Sequence, residues 1–100
     1  MYRLHKHELE FAWDPAKDEE NQRKHGVSFK EAAMAFFDDH AGLFHDPDES
    51  KDEDRRILIG LSDKPRLIIV CHCYRGNGPV IRIISARKPD SRETAAYAED

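Results

Sequence analysis

Three stretches in the second half of the chain, residues 56–61, 67–74 and 80–86, are dense in Ile and Val. Ser62-Asp63-Lys64-Pro65 and Gly76-Asn77-Gly78-Pro79 separate them. β-branched residues suit a pleated, half-buried surface, and clusters of Gly, Asn, Asp and Pro reverse the chain. Links this short join strands only as hairpins, so the three runs are read as an antiparallel meander. Such a sheet has a face to bury. The first half of the chain must supply the helices that cover it.

It does so with clear punctuation. Leu9, Phe11 and Trp13 alternate with Glu10 and Ala12, the period of a half-buried strand. Asp14-Pro15 then announces a helix, with Asp14 as N-cap and Pro15 at the first helical position. Arg23, Lys24 and His25 fall in its last turn and Gly26 at the left-handed C′ position, so this short, highly charged helix ends there and lies on the surface. Ser28-Phe29-Lys30-Glu31 has the form of a capping box opening a second helix that runs to about Asp38. Phe29, Ala33, Phe36 and Phe37 give that helix one apolar stripe, which is read as core packing. A short strand is expected near residues 42–45, followed by a turn-rich acidic loop over 46–54. Asp90 or Ser91 caps a last helix reaching Tyr97. The expected order is β-α-α-β-β-β-β-α, an α+β domain with its helices on one face of an antiparallel sheet.

One hundred residues hold a single core, so one domain over 1–100 is expected, with 1–8 as a polar lead. No apolar run approaches the roughly 20 residues of a membrane helix and no stretch reads as a signal peptide, so a cytoplasmic protein with no membrane partner is expected. Cys71 and Cys73 are two apart in one strand, their side chains expected to diverge, which argues against a disulfide between them. No C-x-x-C or His-x-x-x-His spacing occurs among His40, His45, Cys71, His72 and Cys73, so no metal and no cofactor are expected.

Net charge is −4, which taken alone disfavours a nucleic-acid partner. Its distribution is uneven. Residues 1–54 hold 7 Lys and Arg against 15 Asp and Glu, whereas residues 55–92 hold 9 against 2. A phosphate backbone responds to local field, and the second segment supplies a positive one. Strict alternation places Arg66, Ile68, Val70, His72 and Tyr74 on one face of their strand and Val80, Arg82, Ile84 and Ala86 on one face of the next, with His72 opposite or diagonal to Arg82. Arg55 and Arg56 begin the preceding strand and Arg87 ends the last. Guanidinium forks suit phosphate oxygens and imidazole trades protons near neutral pH. Together they form a set able to cleave RNA without metal, the 2′-hydroxyl attacking phosphorus. The structural alternative is that the arginines pair with the acidic loop and the histidine simply packs.

Phe11-Ala12-Trp13-Asp14-Pro15-Ala16-Lys17, Asn21, and Lys24-His25-Gly26-Val27-Ser28-Phe29 are similar to the amino-terminal half of BrnT toxins. Phe36-Phe37-Asp38, Glu53-Asp54-Arg55 leading to Gly60, Arg82-Ile83-Ile84-Ser85-Ala86-Arg87, and then Glu93 and Tyr97 continue the resemblance over residues 11–97. It implies a RelE-like ribonuclease toxin of a type II toxin–antitoxin pair that halts translation. It also implies neutralisation by a BrnA-like ribbon-helix-helix antitoxin, with operator DNA contacted only through that antitoxin. On this resemblance the catalytic positions are His72, Arg55, Arg82, Glu53 and Lys24. Arg87 and Ser85 are expected at matching positions to bind RNA phosphate, and Arg56 and Arg75 are expected to join them as neighbouring arginines outside the matched set. Relatives tend to carry arginines between the glutamate and tyrosine of the final helix, where this chain has Thr94, Ala95 and Ala96. That departure and the acidic total motivate one alternative, a catalytically weak or inactive binding module that keeps the toxin fold; a DNA-binding regulator in its own right is another.

Overall fold

The computed structural model describes residues 1–45, 55–74 and 79–98. In chain order, β1 (Tyr2–Lys6) and β2 (Leu9–Trp13) lead into α1 (Pro15–His25) and α2 (Phe29–Met34), which tightens into a 3-10 turn at Ala35–Phe37. β3 (Gly42–His45), β4 (Arg55–Leu61), β5 (Leu67–Tyr74) and β6 (Val80–Arg87) follow, and α3 (Ser91–Ala98) comes last. The six strands form one sheet in the order β1-β2-β6-β5-β4-β3. The meander is present as expected, with β3–β4, β4–β5 and β5–β6 all antiparallel.

Two features of the sheet depart from the sequence reading. The polar lead is a strand: β1 pairs antiparallel with the whole of β2, from Tyr2↔Trp13 to Lys6↔Leu9. Its residues are mostly exposed because it is an edge strand, and only Tyr2 against Trp13 and Leu4 against the core betray it. In addition, β2 joins β6 in parallel through Glu10↔Val80, Phe11↔Ile81 and Ala12↔Arg82, so the sheet is mixed.

The helix signals operate where they stand. The Asp14 carboxylate accepts from the Ala16 amide at 2.9 Å, and Gly26 adopts φ 70° and donates its N–H to the Gln22 carbonyl. Ser28 Oγ accepts from the Glu31 amide, but the Glu31 side chain does not return to complete the box. It turns inward instead, where Arg66 Nε and Nη2 donate to its two carboxylate oxygens at 2.7 and 2.6 Å and Ser62 Oγ donates at 2.7 Å. Arg66 Nη2 also donates to the Gly26 carbonyl, tying the start of β5 to the α1–α2 corner. Arg66 holds the Glu31 carboxyl below the usual carboxylate range against the opposing effect of burial.

Phe11, Val27, Phe29, Ile68, Val70, Ile81, Ile83 and Ala86 form the core between this sheet face and α2, each at most 2% exposed. Burying such a large side chain contributes about 1.5–3 kcal/mol. The 3-10 turn presses onto β4 so closely that a Cβ on Gly60 would lie 2.6 Å from the Ala35 carbonyl oxygen. Only glycine fits there. Not all helices share that face. Arg87 is opposite Ile69, on the side away from the core residue Val70, and its guanidinium is held by Glu93 of α3. α3 therefore lies on the second face, contacting β4 and anchored at its far end by Tyr97 Oη donating to Asp38 at 2.6 Å.

Candidate functional site

One irregularity in β6 decides which side chains meet. Cys71 pairs with Ser85 and His72 with Ile83, leaving Ile84 as an extra residue opposite no partner. The bulge inverts the alternation along β6, so Ile81 and Ile83 face the core before it and Ala86 after it. Arg82, Ser85 and Arg87 consequently all emerge on the second face. Register extends this face across the sheet in rows: Arg55, Cys73 and Arg82; then Ile57, Cys71 and Ser85; then Ile59, Ile69 and Arg87.

His72 is not among them. It pairs with Ile83 and Arg56 on the core side, is 0% exposed, and meets the Phe36 ring edge-on at 4.8 Å. Burial lowers its pKa below the ordinary histidine value, an effect the nearby Arg56 charge reinforces and the hydrogen bond to the Val70 carbonyl only partly offsets. The expectation that His72 shares a face with Arg82 is thus overturned, because strict alternation took no account of the bulge. Arg56 goes with His72, its guanidinium 5.9 Å from the centre of the Tyr74 ring. Cys71 and Cys73 do not diverge. Two residues apart, they share the second face, and they are not disulfide-bonded. Glu53 and Arg75 lie outside the described residues.

Arg87 is present on the face but occupied. Its two terminal nitrogens donate to the two Glu93 oxygens, both at 2.9 Å. That pairing keeps the Glu93 carboxyl below its usual range and raises the Arg87 guanidinium further. Arg82 is half-buried and has no carboxylate partner among the described residues.

Lys24 reaches the same region from α1. β2 stops pairing at Ala12↔Arg82, and beyond that point the edge of β6 is met by Asn21. Its amide donates to the Ala86 and Val27 carbonyls, both at 2.8 Å, and accepts from the Ala86 N–H at 3.1 Å. Asn21 is the one buried residue of α1, and it fastens the helix beside β6. A cavity of about 240 Å³ opens between them, lined by Lys17, Glu20, Asn21, Lys24, His25, Ile84 and Ser85. Ser85 belongs both to this cavity and to the arginine-bearing face. His25 and Lys17 stand in the segments that carry the resemblance but were not read as site residues; the available signal was helical spacing from Asn21, four residues away on either side. Among the described residues no group of three or more His, Cys, Asp or Glu is placed to hold a metal ion.

The fold and this face define a small α+β domain that displays arginines beside a lysine-lined cleft. The chain belongs to the family described as the ribonuclease toxin BrnT of type II toxin–antitoxin systems, whose model matches residues 13–93. The 1.1 Å crystal structure of the Brucella abortus ribonuclease toxin BrnT is similar at a TM-score of 0.61 and 25% identity, over 81% of this chain and 96% of that one. No curated protein sequence matches the chain. The toxin fold is as the sequence implied, although the added β1 and the parallel β2–β6 pair go beyond the RelE-like arrangement expected. As a member of a type II toxin–antitoxin family, the chain has an antitoxin for a partner. No helix among the described residues is long and apolar enough to cross a membrane.

Proposed function

We propose that the chain is an endoribonuclease toxin that cuts RNA at its second sheet face, with Arg55 and Arg82 gripping the phosphodiester. The row Arg55, Cys73, Arg82 carries this reading. Two strand spacings separate the arginines, about 10 Å at the backbone, so side chains of that length meet over one phosphate. Guanidinium groups are permanently charged and offset the charge that develops on phosphorus as the 2′-hydroxyl attacks. Ser85 is an additional donor in the next row, and Lys24 adds positive charge from the adjoining cleft. Because these groups supply the electrostatic role a metal ion would take, cleavage is expected to persist in EDTA. Translation inhibition follows from loss of RNA. A BrnA-like ribbon-helix-helix antitoxin, presenting acidic residues to this face, is the expected neutralising partner, with operator DNA bound through it.

The test is expression and purification of the single chain. Growth arrest and RNA cleavage are expected, and Arg82→Ala should relieve both, lowering cleavage by about 10²-fold as for loss of one charge-stabilising donor. Well-folded protein that leaves growth and RNA intact refutes the reading. One observation favours a second, non-catalytic reading: Glu93 engages Arg87 in a bidentate pair, and Thr94, Ala95 and Ala96 add no charge on α3. On that reading the chain binds its antitoxin tightly and leaves RNA whole.

A further inference from the structure

We infer that His25, in the cleft between α1 and β6, is the group that moves the proton in RNA cleavage; this rests on the nuclease reading above. Cleavage through a 2′-hydroxyl needs a base beside the phosphate grip, and imidazole is the side chain that both takes and gives a proton near neutrality. His72 is sealed in the core on the other side of the sheet. His25 is solvent-exposed and lines the cleft together with Lys24 and Ser85. Its position is built rather than incidental. The three hydrogen bonds of buried Asn21 fix α1 against Ala86, and His25 lies one helical turn further along the same side, with Lys24 next to it. The Arg66 guanidinium braces the carbonyl of the following residue, Gly26. Ser85 then joins the cleft to the face that carries Arg82, so a strand held by the arginines can pass a ribose into the cleft.

In the step so defined, His25 accepts the 2′-hydroxyl proton while the 2′-oxygen forms its bond to phosphorus. The bond from phosphorus to the 5′-oxygen breaks, and that oxygen leaves with a proton from the Lys24 ammonium. Solvent carries the proton from the imidazolium back to Lys24. The products are a 2′,3′-cyclic phosphate and a 5′-hydroxyl, with no water consumed and no oxidant or metal required. The charged groups that line the cleft with His25 are Lys17, Glu20 and Lys24 from α1, Lys24 lying 3.8 Å from the Glu20 carboxylate; β6 contributes Ile84 and the uncharged Ser85.

The test uses a labelled single-stranded RNA with the purified wild-type chain and with His25→Ala, His25→Gln and Arg82→Ala. Because His25 is exposed, its variants should melt as the wild type does and retain RNA in a binding assay. Both should cleave at least 10²-fold more slowly, without the limb of the pH–rate profile that a histidine base imposes. Cleavage by His25→Ala within about 3-fold of wild type, with Arg82→Ala inactive, overturns this inference while leaving the nuclease reading intact. Intact RNA with the wild-type chain overturns the nuclease reading and this inference with it.

Discussion

Replacing Arg66 with alanine removes both guanidinium contacts to Glu31 and leaves a carboxylate whose side chain is 2% exposed with Ser62 as its remaining side-chain donor. Breaking a buried pair by deleting one partner costs about 3–5 kcal/mol, because the surviving charge is stranded in a poorly solvated site. Arg66 is itself 31% exposed, so water can enter the space it vacates and the lower end, about 3 kcal/mol, is expected. For a domain of this length each kcal/mol shifts the melting point by roughly 4–8 °C, giving a drop of about 12–24 °C. The pH dependence sharpens the test. In the wild type, Arg66 depresses the Glu31 pKa below 4.5, so the pair's stabilisation is present above that value and lost as pH falls through the depressed one. In the variant burial is opposed only by Ser62 and Lys64, and the carboxyl takes up its proton more readily. The cost of the substitution must therefore shrink as the solution is made acid. Urea unfolding followed by the fluorescence of Trp13, the single tryptophan, at about pH 7 and about pH 4 measures both quantities. A loss below about 1 kcal/mol at neutral pH, or one that stays constant between the two conditions, refutes the account of this pair as a stabilising clasp.

Two further substitutions probe how the faces are held. Gly60→Ala places a methyl against the Ala35 carbonyl and should cost about 1–3 kcal/mol in urea unfolding, as overpacking does; an unchanged midpoint would show that the 3-10 turn yields. Tyr97→Phe removes the hydroxyl donated to Asp38, which keeps the amides of Leu61 and His40 as donors, so a loss of about 1–2 kcal/mol is expected. Burial would raise the Asp38 pKa, but the Tyr97 hydroxyl and those two amides outweigh it, so the loss should fade as pH drops through the carboxylate range. The same bond pushes the Tyr97 phenol up to about 12, and ultraviolet titration should find one tyrosine ionising there that is absent from the variant.

Most of the elements could be read directly from residue order. Asp14-Pro15, Gly26 and Ser28 mark helix ends because capping is a local matter between a side chain and the backbone within one turn. The three Ile- and Val-rich runs are strands for an equally local reason, and their short links leave only the hairpin connection. The Arg82-to-Arg87 segment and the Lys24-His25-Gly26-Val27 segment were also enough to place the chain in its family. What residue order could not express is parity and long-range pairing. A single extra residue, Ile84, reverses which side of β6 points to solvent, and with it the company that Arg82 keeps; His72 stays on the core side with Val70 while Arg82 is carried to the opposite face. The pairing of β2 with β6, the clasp of Arg66 on Glu31 and the docking of α1 through Asn21 join residues 35 to 70 positions apart. Such contacts form only after hydrophobic burial has brought distant segments together, and no local propensity records them. Residue order thus settled most of the elements and the family, while only packing settled which face carries the chemistry, since a strand's outward side depends on the register of neighbours that burial selects.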